Sequence, residues 1–328
     1  MTREFPIGEI VHVSRARSIV FSEPAEVVCT CALEEVRDCL ERVNAAVEQG
    51  MHAAGWVAYE AAPAFDSALV AHPPTEFPLV WFRLFRRKEI ISRSGESRGS
   101  FNVGEWRPSV ERGQYIHSVS KIRDYIAAGD TYQVNYTFPL ESEFSGDERA
   151  WFDALCGAQQ ADHCLFADAG RWVVLSASPE LFFRLESGVL ETKPMKGTRR
   201  RGLCTALDRA LADELLASEK DRAENAMIVD LLRNDVGKVS DVGSVEVARL
   251  FDIERYPTVW QMTSTVRSRT HASVPEIFAA LFPCGSVTGA PKVRTMQIIR
   301  ELEPHPRGIY CGAAGWWSRS IYLSLIHI

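Results

Sequence analysis

Four groups of residues in this chain have types and spacings that could do chemistry. Lys196 stands in Glu-Thr-Lys-Pro-Met-Lys-Gly-Thr-Arg-Arg-Arg-Gly at 191–202, between a proline-led strand and a Gly-Thr turn. An amine held beside such a turn and partly desolvated loses basicity and becomes a nucleophile. The alternative for the same text is an exposed lysine opening a basic turn with Arg199, Arg200 and Arg201. Glu180 follows Ser178-Pro179 at the start of an expected strand. A glutamate facing a partly closed pocket there suits a general acid, and one facing water is a solvated strand end. Glu224 belongs to an expected helix over about 220–234 and shares a face with Asp221, Met227 and Ile228 at offsets of three and four. A carboxylate on a face that also carries core residues suits Mg²⁺, which takes few protein carboxylates and completes its octahedron with waters or substrate oxygens. The alternative is an ion pair with Lys220 or Arg222, neither of which is expected to face it well. Finally, Gly285-Ser-Val-Thr-Gly289 leads through Ala290-Pro291-Lys292 into Val293, Met296, Ile299 and Leu302 at helical spacing. A glycine-bracketed loop opening into a helix offers free backbone N–H groups to a carboxylate, and Pro291 fits the first turn. It is not a phosphate-binding P-loop, because Gly-Lys-Ser/Thr does not occur in it.

The elements that must position these residues follow from the apolar pattern. Leu33, Val36, Leu40, Val43 and Val47 predict a helix over 32–48, and Trp56-Val-Ala-Tyr-Glu and Leu79-Val-Trp-Phe-Arg-Leu-Phe predict strands. Ile116, Val119, Ile122 and Ile126 predict an amphipathic helix ended by Gly129. Tyr132, Val134 and Tyr136 then alternate as a strand, which sends Gln133, Asn135 and Thr137 to the other face. Strands at 171–176, 181–185 and 190–195 precede helical patterns at 205–234 and 274–281. Strands clustered beside helices without regular β-α alternation predict an α+β layered fold, a sandwich of sheet and helices. Ser-Gly-Glu-Ser-Arg-Gly-Ser and a later Glu-Arg-Gly mark a boundary or long connection near 94–113.

Composition bounds the rest. With 328 residues, 46% hydrophobic and 24% charged, the chain reads as an ordinary globular protein able to bury a large core. A net charge of −6 argues against a nucleic-acid surface or a basic membrane face. The eight cysteines form no Cys-x-x-Cys pair and are expected to be reduced cytosolic thiols in apolar settings, not a zinc site. The first residues, Met-Thr-Arg-Glu-Phe-Pro, lack the apolar run of a signal peptide, and no stretch reaches a membrane span.

Five segments together resemble the chorismate-utilising enzymes, the family of the anthranilate, aminodeoxychorismate, isochorismate and salicylate synthases. They are the 191–202 run, Gly-Asp-Thr-Tyr-Gln-Val-Asn at 129–135, Ser-Ala-Ser-Pro-Glu-Leu-Phe-Phe-Arg at 176–184, Glu-Asn-Ala-Met-Ile-Val-Asp-Leu-Leu-Arg-Asn-Asp at 224–235, and Phe-Pro-Cys-Gly-Ser-Val-Thr-Gly-Ala-Pro-Lys at 282–292. The resemblance implies the anthranilate synthase component I type of fold, with an N-terminal unit at 1–105, a chorismate-binding catalytic unit at 110–317 and a divergent tail at 318–328. It assigns Lys196 as nucleophile and Glu180 as the acid that protonates the departing 4-hydroxyl. It gives Glu224 to Mg²⁺, and Gly197, Thr198, Gly285, Ser286, Gly289 and Lys292 to the substrate carboxylates. Pro-Met-Lys-Gly-Thr at 194–198 resembles the members that aminate chorismate at C4, where anthranilate and isochorismate synthases typically carry alanine for the lysine. Gln133 stands where isochorismate and salicylate synthases carry a lysine base. The implied partners are chorismate, ammonia and a glutaminase subunit, since no Gly-x-Cys-x-Gly motif is present, in a cytoplasmic enzyme of the type often fused to an aminodeoxychorismate lyase. Anthranilate synthase component I and an inactive chorismate- or partner-binding remnant are the alternatives. The text leaves the family pattern after Trp317, so the chain is expected to be truncated, to lack part of the substrate clamp and to have little activity as written.

Overall fold

The computed structural model describes residues 10–14, 17–92, 99–319 and 321–326. The opening hexapeptide lies outside them, as do residues 94–98 of the expected boundary and positions 320, 327 and 328 of the tail.

Thirteen strands form one antiparallel sheet, with helices packed on it, so the fold is α+β as the pattern predicts. Along the sheet the strands run Val173–Ser178, His163–Asp168, Ile10–Val13, Arg17–Thr30, Val80–Ser92, His52–Val57, Ala313–Ser318, Ile321–Ile326, Glu180–Glu186, Val189–Lys193, Val259–Arg269 and Met195–Arg200. Glu246–Arg255 pairs with Val259–Arg269 in addition. Strands from both ends of the chain therefore interleave. His52–Val57 pairs with Ala313–Ser318, and the segment 1–105 contributes to the same sheet as the rest instead of closing a sheet of its own.

The expected tail at 318–328 contributes a strand to this sheet. Ile321–Ile326 is a strand seated between Ala313–Ser318 and Glu180–Glu186, running from Ile321 opposite Glu186 to Ile326 opposite Glu180 with one bulge between Leu181 and Phe183. Its text, Ile-Tyr-Leu-Ser-Leu-Ile, has the β-branched and aromatic content of a strand, a signal separate from any family pattern.

Helix Val36–Glu48 forms as its spacing predicts, burying Val36, Leu40, Val43 and Val47 against the sheet and against helix Val274–Leu281. Phe182, Phe183, Phe278, Phe282 and Tyr322 continue that core, with Phe183 and Tyr322 stacked at 4.6 Å between centroids. Four other expectations change. The strand at 56–60 ends at Val57, and Tyr59–Ala61 is a 3-10 turn that buries Glu60. The strand at 132–136 shrinks to Gln133–Val134, because among the described residues its ladder partner is the two-residue strand Gly289–Ala290. Helix Arg112–Ala127 buries Ile122 but leaves Ile116 and Ile126 exposed. The helical pattern at 205–234 divides at Ser218 into Thr205–Ala217 and Glu219–Gly237, the second containing the expected 220–234 helix and extending it at both ends, and the Ser218 hydroxyl caps that helix by accepting from the Asp221 N–H at 3.3 Å.

Candidate active site

Lys196 lies not in a turn but on the bulged strand Met195–Arg200. Met195 faces Thr263 and Thr198 faces Gln261, so one extra residue is accommodated between them. A bulge of this kind re-aims the side chains beside it. Gly197 makes it possible: its φ is +96°, and an added Cβ would stand 3.0 Å from Asp221 Cβ and 3.2 Å from Leu215 Cδ1. The close approach presses the Lys196 strand onto helix Glu219–Gly237. Asn225 of that helix, 1% exposed, donates to the Lys196 carbonyl at 3.4 Å and accepts from Ser264 Oγ at 2.5 Å.

The Lys196 amine donates to Asn135 Oδ1 at 3.0 Å. Burial pushes this amine below the ordinary lysine value, and the charges of Glu180 and then Glu224 pull it partly back. Glu180 itself is 2% exposed and opens its strand. Its Oε1 accepts from Ser286 Oγ at 2.6 Å, its N–H donates to Ser178 Oγ at 3.2 Å, and the Tyr256 hydroxyl donates to the Pro179 carbonyl at 3.3 Å. The turn that presents Glu180 is thus held from three sides. Burial pushes the nearby Cys284 and Cys311 thiols up to about 12, which keeps them protonated and poorly nucleophilic at neutral pH.

The segment after Cys284 is ordered and buried, not an open loop. Gly285–Thr288 is one helical turn, Gly289–Ala290 pairs with Gln133–Val134, and helix Lys292–Leu302 follows with Pro291 at its N-cap, one residue ahead of the expected first turn. Its glycines answer to close approach: a Cβ on Gly285 would meet Leu231 Cδ2 at 2.2 Å, and one on Gly289, φ +142°, would meet the Gln133 carbonyl oxygen at 2.0 Å. Ser286 is brought to Glu180. Lys292 is not presented as a free amine: it donates to Asp235 Oδ2 at 2.8 Å and to the Leu281 carbonyl at 3.1 Å, tying three helices together. Thr198 Oγ1 donates to Gln261 at 2.8 Å on the exposed side of its strand.

Glu224, with 35% of its side chain exposed, stands 3.7 Å from Lys220 Nζ. Offset four does bring these two together, contrary to the sequence expectation. Among the described residues no group of three or more His, Cys, Asp or Glu could hold a metal. Glu224 can therefore supply one carboxylate, which fits a Mg²⁺ that takes its other ligands from water and substrate.

Asn135, Arg307, Glu303 and Glu60 were not singled out from sequence as site residues. The Asn135 side-chain amide donates to the carbonyls of Ser286 at 2.9 Å and Thr288 at 3.3 Å. Arg307, 9% exposed, donates to Glu303 through Nη2 at 2.7 Å and Nε at 2.9 Å, to the Val287 carbonyl at 2.9 Å and to the Asn135 carbonyl at 2.7 Å. Glu60 accepts from the N–H groups of Arg307 at 2.7 Å and Gly308 at 2.9 Å. The sequence signals were faint: Asn135 was placed on the face opposite Tyr136, and an arginine opens the Gly-Ile-Tyr-Cys-Gly text at 308–312. A 360 Å³ cavity bordered by Thr137, Phe138, Glu303, His305, Arg307 and Tyr310 reaches this cluster but is not lined by Lys196, Glu180 or Glu224. All eight cysteines are free, and Cys29, Cys31 and Cys204 are exposed rather than in apolar settings.

Known proteins share this arrangement of elements. The chain aligns with the solved structure of anthranilate synthase component I from Streptococcus pneumoniae TIGR4 at a TM-score of 0.82 and 22% identity, covering 100% of this chain and 86% of that one, a likeness of fold. It is 40% identical over 236 residues to aminodeoxychorismate synthase component 1 of Salmonella typhimurium, covering 71% of this chain and 52% of that protein. It is also 40% identical over 215 residues to anthranilate synthase component 1 of Aquifex aeolicus, covering 65% of this chain and 44% of that protein. The chain thus spans about half the length of these curated relatives. The sequence signature of chorismate binding enzymes matches residues 8–325, which takes the likeness well beyond the 110–317 stretch and into the last strand. By that match the chain belongs to the chorismate binding enzyme family.

Proposed function

We propose that this chain carries the site of an aminodeoxychorismate synthase component 1, which converts chorismate and ammonia to 4-amino-4-deoxychorismate and water in para-aminobenzoate synthesis. The observation that carries the reading is Lys196, an amine made less basic by burial, held by Asn135 and lying within the charge field of the buried Glu180. The neutral Lys196 amine attacks C2 of the chorismate ring. Its electron pair forms the N–C2 bond, the ring double bonds shift, and the C4–O bond breaks as Glu180 gives its proton to the departing hydroxyl, releasing water. Ammonia then attacks C4, the double bonds shift back, and the C2–N bond breaks with its electron pair returning to Lys196. Glu180 takes the surplus proton from the new amine, which restores both groups. Two displacements in place of one direct the amine to C4.

Glu224 would hold Mg²⁺, and the ion when bound would neutralise a substrate carboxylate. The 286–288 backbone and Ser286 would orient the ring diacid, a positioning role. Ammonia would come from a separate glutaminase subunit, consistent with the "component 1" in the relatives' names, in a cytoplasmic enzyme. Among the described residues no helix is long and apolar enough to cross a membrane. The Aquifex relative supports anthranilate synthesis as a second reading; Lys196, where anthranilate synthases typically carry alanine, weighs against it.

The test is mass spectrometry of the full chain with chorismate while ammonia is withheld. An adduct on the peptide containing Lys196 is expected, together with loss of aminodeoxychorismate formation in Lys196→Ala. Full activity in that variant would falsify the covalent role, and anthranilate as the product would favour the second reading.

A further inference from the structure

The Asn135 side chain bonds both to the Lys196 amine and to the turn that carries Ser286, the hydrogen-bond donor to Glu180. Asn135 Oδ1 accepts from Lys196 Nζ at 3.0 Å, while Nδ2 donates to the Ser286 carbonyl at 2.9 Å and the Thr288 carbonyl at 3.3 Å. Both amide hydrogens are committed to carbonyls, so the amide cannot flip without facing donors away from acceptors, and its oxygen must face the lysine. The Asn135 backbone is fixed in turn: its N–H donates to the Thr288 carbonyl at 2.9 Å, and its carbonyl accepts from Arg307 at 2.7 Å. Ser286, whose carbonyl Asn135 holds, donates its hydroxyl to Glu180 at 2.6 Å. We infer that Asn135 is the positioning residue that registers the Lys196 amine against Glu180, through the 286–288 turn. The inference rests on the reading of Lys196 as nucleophile and Glu180 as acid, but the geometry it describes exists without substrate. Asn135 touches neither reacting carbon; it fixes the direction of the lysine lone pair once the amine is neutral.

The charged and titratable groups that reach Lys196 are Glu180 at the start of strand Glu180–Glu186, Glu224 on helix Glu219–Gly237, and Cys284 and Cys311. Asn135 adds an uncharged acceptor to that set, and its removal has a predictable sign. Labelling of Lys196 by trinitrobenzenesulfonate, in metal-free buffer without chorismate and read by peptide mass spectrometry across pH, reports the neutral amine directly. In Asn135→Ala the ammonium form loses its acceptor, and the labelling midpoint should fall by about one pH unit. In Asn135→Asp the acceptor becomes charged, and the midpoint should rise. With chorismate and ammonium, kcat should drop at least tenfold in Asn135→Ala with KM changed less than threefold. A residue that merely supported the fold would let water in, and the midpoint would climb toward that of an ordinary lysine. An unchanged or rising midpoint in Asn135→Ala overturns the inference. Should that variant fail to fold, Asn135→Asp decides alone, and an unmoved midpoint there overturns it equally. Midpoints that move as expected in a chain that makes no aminodeoxychorismate would sink the proposed function and leave the positioning geometry standing.

Discussion

Replacing Arg307 by methionine should destabilise the protein by about 3–5 kcal/mol, the usual cost of removing one member of a buried ion pair. Arg307 and Glu303 each keep only 2% of their side chains exposed. The guanidinium donates two hydrogen bonds to Glu303 and one each to the carbonyls of Val287 and Asn135, and lies 4.7 Å over the Tyr59 ring. Methionine would preserve much of the packing on Tyr59 and satisfy none of the oxygens. The buried carboxylate would keep the Thr137 N–H, at 2.8 Å, but lose its counter-charge, and two carbonyls would lose a donor each. At about 1–3 kcal/mol for each polar group left wanting, this independently reaches the same range. For a chain of this size the loss should appear as a melting temperature lower by roughly 4–7 °C. The double variant Arg307→Met/Glu303→Met removes the orphaned charge and should recover much of the loss, yet turnover should stay low, since Val287 and Asn135 are still unheld. Urea denaturation of the two variants beside the parent, with turnover on the same samples, tests this. A single variant within about 1 kcal/mol of the parent, the range of an ordinary surface change, would refute the argument that this pair braces the site.

Two further outcomes follow from the site. Glu224→Gln should weaken Mg²⁺ and chorismate together, because one carboxylate would bridge them, with little change in melting temperature for a side chain 35% exposed; an unchanged midpoint in a Mg²⁺ titration of activity counts against Glu224 as the ligand. Burial places the Lys196 amine below the ordinary lysine value, so the unfolded chain binds more protons between that lowered value and about pH 10.4, and Lys196 penalises stability least at the top of that window. Lys196→Met should accordingly be more stable than the parent at neutral pH by a margin that shrinks as pH rises through the window. Urea titrations at several pH values that show a constant margin would contradict the burial of this amine.

The chemistry was more legible than the scaffold. Lys196, Glu180 and Ser286 stand in short segments whose wording marks them, and the structure brings them into one hydrogen-bonded neighbourhood with Asn135. The glycines at 197, 285 and 289 were read as parts of a turn and a loop; they are where backbone or helix approaches within the reach of a Cβ, a property of packing that no local pattern carries. The same limit explains Lys292, which sequence offered to a substrate and the fold gives to Asp235 on another helix. Helix Arg112–Ala127 shows the converse failure, since a correct 3.6-residue period announced a buried face and tertiary structure covers only Ile122 and Ser118 of it. Sheet order was the least legible feature: His52–Val57 meets Ala313–Ser318 across more than two hundred residues of intervening chain.

The last strand offers a way to ask whether the sheet holds Glu180 in place. In the last strand the consecutive side chains of Tyr322 and Leu323 face opposite cores: Tyr322 packs with Phe183, Phe278 and Trp317, and Leu323 with the cluster of Phe21, Phe85 and Trp316. Tyr322 is 2% exposed, so Tyr322→Ala should cost about 3–5 kcal/mol, the range for deleting a buried aromatic ring. The consequence for the site comes through the ladder. Ile321–Ile326 pairs along the full length of Glu180–Glu186, with Glu180 opposite Ile326, so loosening the strand frees the segment that presents the acid. Amide hydrogen exchange should then rise most in 180–186 and 313–318, the two neighbours of the strand, and less in the distant pair His163–Asp168 and Val173–Ser178. Val189→Ala is a suitable control, being 41% exposed one strand further on, and should leave that exchange pattern unchanged. Exchange that rises evenly over the whole sheet in Tyr322→Ala would mean that the sheet opens as one unit and that the last strand has no particular hold on Glu180.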